Sequence, residues 1–315
     1  QRLLIGIIVI VALIGVFFVA SDWEDFRKVL SEADWRLILP ALLFSAISYF
    51  CIGVSYAIVA KLLEICMRWR DLTEIGFVTV ILNHIITTGG VAGFSVRYLL
   101  MERHGIRMRD VLSSSFMHFY LSSVVIIVTL PFCFIFLLDN ASLPKGVALL
   151  IGFATSVLII ISIIGALLLF VNQIRTPVLK VMGKAANLFT RRDIHIRFEQ
   201  FNDTMNQSAV ITRSRPLNML AILVIVVIQW SAAIITMGFC FDALGAVPTP
   251  GVLVTGLVIG LVAGVLSMVP GGFGVQEASM AGIYALLGVP FELALLAAIL
   301  FLSLIHISEP TRPTT

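Results

Sequence analysis

The feature that most constrains this chain is its succession of long uncharged runs. Val111–Leu138 passes 28 positions without Asp, Glu, Lys or Arg, and Gly146–Val171 passes 26. Leu3–Ala20, Leu37–Ala60 and Leu217–Phe239 are of the same kind. About 20 apolar residues in helical form cross the hydrocarbon layer of a bilayer. Inside that layer only helices and closed barrels satisfy their own backbone groups. With 59% hydrophobic and 12% charged residues and a mean hydropathy of +1.06, the chain reads as an all-α polytopic membrane protein. A soluble domain is excluded on composition.

Two stretches break this pattern. Ser267-Met268-Val269-Pro270-Gly271-Gly272-Phe273-Gly274-Val275-Gln276-Glu277 places a proline, three glycines and a carboxylate inside an apolar region. Gly costs a helix interior about 1 kcal/mol and Pro about 3, so the helix is expected to stop there. Thr87-Thr88-Gly89-Gly90-Val91-Ala92-Gly93-Phe94-Ser95-Val96-Arg97 does the same in the other half of the chain. Broken helices survive at membrane depth only where protein or a wet cavity satisfies the freed backbone. Paired interruptions of this kind point to a transporter built from repeats, with its site at their interface. The charges beyond the breaks are opposite, so Arg97 and Glu277 either pair or face one polar cavity. A packing kink beside a solvated Glu is the bland alternative for the second break.

Taken in order, Leu3–Ala20 reads as a retained first helix, because Phe18 stands where a cleavage site wants a small residue. Ser21–Arg36, with Trp23, Phe26, Leu30 and Trp35, reads as an interfacial amphipathic helix. Leu37–Ala60 spans. Leu72–Thr88 is short and suits a re-entrant segment. Val111–Leu138 spans with a kink expected at Pro131, and His118 within it reads as a helix-packing residue. Gly146–Val171 spans. Asn172–Pro216 is polar, with Ile194, Phe198, Phe201 and Met205 on one helical face, and suits either a helix on anionic headgroups or a linker. Leu217–Phe239 spans, Pro248–Met268 spans or re-enters, Val275–Leu287 follows the second break, and Phe291 opens a further helix.

Orientation follows from the basic residues. With the N-terminus cytoplasmic and Leu72–Thr88 re-entrant, 16 Lys and Arg fall inside and four outside, Arg312 being set aside. A full crossing at Leu72–Thr88 would move Arg97–Arg109 outside, so the positive-inside rule favours re-entry. Leu302–Arg312 resembles a translated sequencing adapter. Residues 302–315 are therefore expected to be a non-native tail, and 1–301 one transmembrane domain truncated at both ends.

No P-loop, G-x-S-x-G, H-E-x-x-H or Cys/His cluster is present in the sequence. Ser113, Ser114 and Ser115 read as helix-packing serines. Cys51, Cys66, Cys133 and Cys240 are scattered without ligand spacing and read as core residues, and no cofactor or metal is indicated. What remains is electrostatic. Helix N-termini after glycine breaks suit phosphate, Arg97 can take a phosphodiester in bidentate fashion, and Glu277 can attract a cationic headgroup.

Gly-Gly-x-x-Gly-x-x-x-Arg with a following basic loop, then Pro-Gly-Gly-Phe-Gly with an acid three residues on, resembles the transmembrane flippase domain of the lysylphosphatidylglycerol synthetase/flippase family. The run Leu287-Gly288-Val289-Pro290 before an apolar helix fits as well. The resemblance implies a helical bundle with two re-entrant helices in pseudo-symmetric halves. It also implies movement of a phospholipid, in some relatives aminoacylated phosphatidylglycerol, between leaflets of the bacterial inner membrane. Substrate contacts would come from Gly89, Gly90, Gly93 and Arg97 in the first motif. In the second they would come from Pro270, Gly271, Gly272, Gly274 and Glu277.

The partners expected are a phospholipid substrate and the bilayer, with no nucleic acid, and either a further copy of the chain or a lipid-modifying enzyme. Three other readings stand beside the translocator. They are the membrane half of a lysyltransferase-type enzyme, a small-solute secondary transporter and a scaffold.

Overall fold

The computed structural model describes Val29 and residues 31–85, 91–141, 145–190, 195–267 and 274–307. The expected first helix at Leu3–Ala20, most of the interfacial segment and the end of the chain lie outside these residues. The described residues form eleven α-helices. They are α1 (Ile38–Leu62), α2 (Trp69–Ile85), α3 (Val91–Glu102), α4 (Met108–Asn140), α5 (Lys145–Phe170) and α6 (Asn172–Thr190). Then come α7 (His195–Ser214), α8 (Pro216–Ala243), α9 (Pro250–Leu266), α10 (Val275–Leu286) and α11 (Phe291–Ile307). Four of the described helical stretches are long and apolar enough to cross a membrane: Trp35–Leu62, Met108–Asn140, Ala148–Leu168 and Pro216–Ala243. The chain is a multi-pass membrane protein.

The long uncharged runs become the long helices, as their composition requires. Pro131 lies inside α4, which continues past it to Asn140. Along α5 the side chains of Leu149, Leu150, Phe153, Ile160 and Ile161 face outward. In water such a surface would be a liability, and against acyl chains it is the ordinary one.

Two arrays of four helices share one plan. In each, a long helix is followed by helices of 17 and 12 residues and then another apolar helix. The corners match too. After α1, Glu64 takes φ 61° and the Ile65 N–H bonds the Ala60 carbonyl. After α8, Gly245 takes φ 79° and the Ala246 N–H bonds the Phe241 carbonyl. The turns after α3 and α10 repeat the device with Gly105 at φ 76° and Gly288 at φ 89°. Each is a helix stop that needs a left-handed residue, and Glu64 is the one non-glycine among them.

The two arrays are inverted with respect to each other. The helices α1 and α8 pack against one another. The Asp34 N–H bonds the Ala243 carbonyl at 2.8 Å, and Val59 and Leu62 pack with Ile222 and Val226. The start of α1 therefore meets the end of α8, and the two run antiparallel. Consequently α2 and α3 leave from one end of this pair and α9 and α10 from the other. At 1.5 Å per residue, the 17-residue helices are about 25 Å long and the 12-residue ones about 18 Å. Neither fills a hydrocarbon layer of about 30 Å.

Close packing within the second hairpin comes from glycines in every fourth position. A Cβ at Gly256 would strike the Tyr284 ring, and one at Gly260 would come 2.9 Å from the Met280 Cα. One at Gly264 would lie 3.0 Å from the Gln276 Cβ. Gly256, Gly260 and Gly264 on α9 thus receive Tyr284, Met280 and Gln276 on α10, the small-residue packing that brings helices together in lipid.

The polar stretch after α5 forms two helices. Met205 of α7 is buried, so this helix packs on the bundle as well as facing its surroundings. Buried Arg175 on α6 donates from Nε to Asn202 Oδ1 at 2.8 Å and from Nη1 to the Leu168 carbonyl at 3.2 Å. Its Nη2 donates to Asn206 Oδ1, which ties α6, α7 and the end of α5 together. Helix α11 packs on α8, α10 and α1 and runs through to Ile307, with Leu302 and Leu304 buried in the core. All four cysteines are free, and Cys66 departs from the expected core position: it is exposed in the connection between α1 and α2.

Candidate functional site

The first array converges on Arg97. Its helix, α3, brings it about 8 Å inward from Glu102, five residues at 1.5 Å each. Tyr56 on α1 and Ser115 on α4 stand at comparable depth, about 9 and 10 Å from Leu62 and Met108 on the same rise. Thr79 reaches the same side chain from α2. Nη2 of Arg97 donates to Thr79 Oγ1 at 2.9 Å and Nη1 to Ser115 Oγ at 3.1 Å. The guanidinium carbon sits 3.9 Å above the centre of the Tyr56 ring. Only 6% of the Arg97 surface is exposed, and its Nε has no partner among the described residues.

This environment is unusual for a buried cation. A guanidinium carries five donors in a rigid planar fork that matches carboxylate or phosphate. Here neutral hydroxyls and an aromatic face take part of that capacity, and no carboxylate among the described residues takes the charge. The hydroxyl of Thr79 is itself held in place by donating to the Ile75 carbonyl at 2.8 Å. Tyr56 is fixed by its own Oη, which donates to Met101 Sδ at 2.9 Å and lies 3.4 Å from Ser114 Oγ. The His118 ring lies nearly perpendicular to that of Tyr56 with centroids 5.5 Å apart, and its Nε2 lies 2.9 Å from Ser55 Oγ.

Glu277 has a different role from Arg97. It stands in the first turn of α10, and its Oε2 accepts the backbone N–H of Gly274 at 2.8 Å. Gly274 takes φ 80°, so the second break ends in a left-handed residue capped by the carboxylate three positions on. Arg97 and Glu277 are not bonded to each other among the described residues, and an ion pair between them does not hold the two arrays together. Of the other site residues expected from sequence, Gly93 is buried one turn before Arg97 on α3. Gly89, Gly90, Pro270, Gly271 and Gly272 lie outside the described residues.

Sequence reasoning missed Tyr56, Thr79 and Ser115 as partners of the cation. The available signal was a lone hydroxyl in the apolar run Phe77-Val78-Thr79-Val80-Ile81. Separately, an apolar groove of about 890 Å³ lies between α4 and α5, lined by Pro131, Phe134, Leu138, Leu149 and Phe153 among others. It begins 16 residues beyond Ser115, about 24 Å along α4, and does not adjoin Arg97.

Inverted halves, two short helix pairs leaving from opposite ends of the central pair and a caged buried cation define a repeat-built helical membrane protein. The model of the lysylphosphatidylglycerol synthase TM region matches residues 3–305, and the chain belongs to that family. Comparison with curated proteins gave no match.

Proposed function

We propose that the protein translocates a phospholipid between bilayer leaflets, with the lipid phosphodiester held by Arg97. The observation that carries this reading is the buried guanidinium without a carboxylate partner among the described residues and with Nε unused. A phosphodiester matches it in charge and in its planar fork of donors. The two short helix pairs are read as re-entrant from opposite faces. Their breaks, with Gly89 and Gly90 on one side and Gly271 and Gly272 on the other, then supply backbone N–H groups along the headgroup path. Glu277 holds the second of these mouths open by capping it, and offers a carboxylate to a cationic headgroup such as an aminoacylated phosphatidylglycerol. The end of the bundle carrying Lys61, Arg68, Arg103 and Arg107 is read as cytoplasmic, in a bacterial inner membrane.

The test uses the full-length protein in proteoliposomes containing fluorescent phosphatidylglycerol, followed by reduction of the probe exposed in the outer leaflet. Wild type is expected to expose nearly all of the probe and Arg97→Met only the half already outside. Movement in Arg97→Met at the wild-type rate would sink the reading.

A further inference from the structure

We propose that α6 is a membrane-surface helix that docks on the anionic leaflet at the basic end of the bundle. The inference is independent of the translocation reading and concerns a surface that the Arg97 cage does not use.

Placement comes first. The apolar span of α5 ends at Leu168, and Val171 alone separates α5 from α6. Helix α6 therefore starts where the chain leaves the hydrocarbon layer. Its first turn is tied there, because buried Arg175 donates from Nη1 to the Leu168 carbonyl at 3.2 Å. Arg215, between α7 and α8, bonds Glu64 at 3.0 Å. That contact sets the pair α6 and α7 at the end of the bundle that carries Lys61, Arg68, Arg103 and Arg107.

The faces of α6 differ in what they meet. At about 100° per residue, Ile174, Val178, Val181 and Met182 fall within an arc of about 100°. All four are exposed, Val181 at 67% and Met182 at 51%. Buried Arg175 and half-buried Leu179 form the edge that packs on the protein, where α7 lies against α6. Gln173 and Lys180 are exposed on the third side, about 130° and 150° round from the centre of the stripe. One packed edge, one apolar exposed face and one polar exposed face suit a boundary between acyl chains and water.

Two observations name the occupant. The outward apolar surface of α5 runs through Ile160, Ile164 and Leu167, and it resumes on α6 at Ile174. The stripe thus continues a surface that faces acyl chains rather than starting an isolated patch. The charge of α6 is also of one sign, with Arg175, Lys180 and Lys184 and no Asp or Glu from Asn172 to Thr190. Arg175 is spent on Asn202 and Asn206, which leaves exposed Lys180 to meet headgroups. Anionic headgroups are the partner that this charge favours. The face expected from sequence to lie on headgroups belongs to α7, but its Met205 turns inward together with Ala209.

The experiment places a nitrobenzoxadiazole fluorophore on Val181→Cys or on Gln173→Cys of the full-length protein. Both positions are exposed, so neither label disturbs the packing. The variants are made in a Cys66→Ser background, since Cys66 is exposed, and that background alone is the labelling control. Each is reconstituted in nanodiscs of phosphatidylglycerol mixed with phosphatidylcholine. Iodide quenches from the water, and a lipid with a nitroxide near the top of its acyl chain quenches from the bilayer. Docking predicts that the probe at 181 is severalfold less accessible to iodide than the probe at 173. It also predicts that the nitroxide lipid quenches 181 more strongly than 173. Equal access of iodide to both positions overturns the proposal. Shielding of 181 from iodide without quenching by the nitroxide lipid also overturns it, because the face is then covered by protein. In nanodiscs of phosphatidylcholine alone, nitroxide quenching at 181 should fall severalfold, and equal quenching in the two lipids overturns the anionic preference.

Discussion

Arg97→Met separates a ligand-binding cation from a structural one. If Arg97 were a structural lock, removing it would break a buried charged network, and such losses run at about 3–5 kcal/mol. The geometry predicts a much smaller effect. Burying the guanidinium costs several kcal/mol. Two bonds from a charged donor return about 1.5–3 kcal/mol each, and a desolvated cation–π contact about 2 more. These nearly cancel, because Nε and the net charge are left uncompensated. Methionine has similar length, and Thr79 keeps its bond to the Ile75 carbonyl when the guanidinium is gone.

The expected change is therefore within about 2 kcal/mol of zero, in either direction. At roughly 2–4 °C per kcal/mol for domains somewhat smaller than this one, that is a shift of a few degrees. Thermal unfolding of the purified full-length protein in a neutral detergent measures it. Adding phosphatidylglycerol should then raise the wild-type midpoint and leave the Arg97→Met midpoint unmoved, since a ligand stabilises only a state it binds. A midpoint that falls by 10 °C or more in the variant, with no lipid effect on wild type, would refute the reasoning.

The remaining predictions concern the frame. Gly260→Ala should destabilise by about 1–3 kcal/mol, the cost of overpacking a closed contact, because its Cβ meets the Met280 backbone. Gly282→Ala, one helix away with nothing within 4 Å of the added carbon, should instead be neutral or stabilise by up to about 1 kcal/mol; equal losses in the two would show that the helix contact is misplaced. Glu64→Gly should be neutral or mildly stabilising. It relieves a left-handed residue at about 1–2 kcal/mol and gives up an exposed ion pair to Arg215 worth about 0.2–1. Paired unfolding midpoints decide that sign.

What the sequence disclosed depended on how local the determinant was. Helices α1, α4, α5 and α8 were legible because an uncharged run of that length has one home. The two breaks were legible because Gly and Pro act on their own backbone, and Arg97 stood out as a charge just beyond one of them. Its cage was not legible. Tyr56, Thr79 and Ser115 come from three other helices, and which faces meet is set by crossing angles rather than by spacing along one helix. The same holds for Ser114 and His118, which packed as expected and yet fix the Tyr56 ring. Glu277 was read as a headgroup partner from its depth, whereas its carboxylate also caps Gly274. The fold of the polar stretch 172–216 into two helices was not legible, because it depends on Arg175 finding Asn202 and Asn206 some thirty residues on.

The most direct test of the central claim is a high-resolution structure of the full-length protein in nanodiscs of phosphatidylglycerol. The account predicts headgroup density with a phosphate oxygen within about 3 Å of Arg97 Nε, with the Thr79 and Ser115 bonds retained. An Arg97 whose Nε is taken up by a protein carboxylate, with no lipid density in the cage, would contradict it.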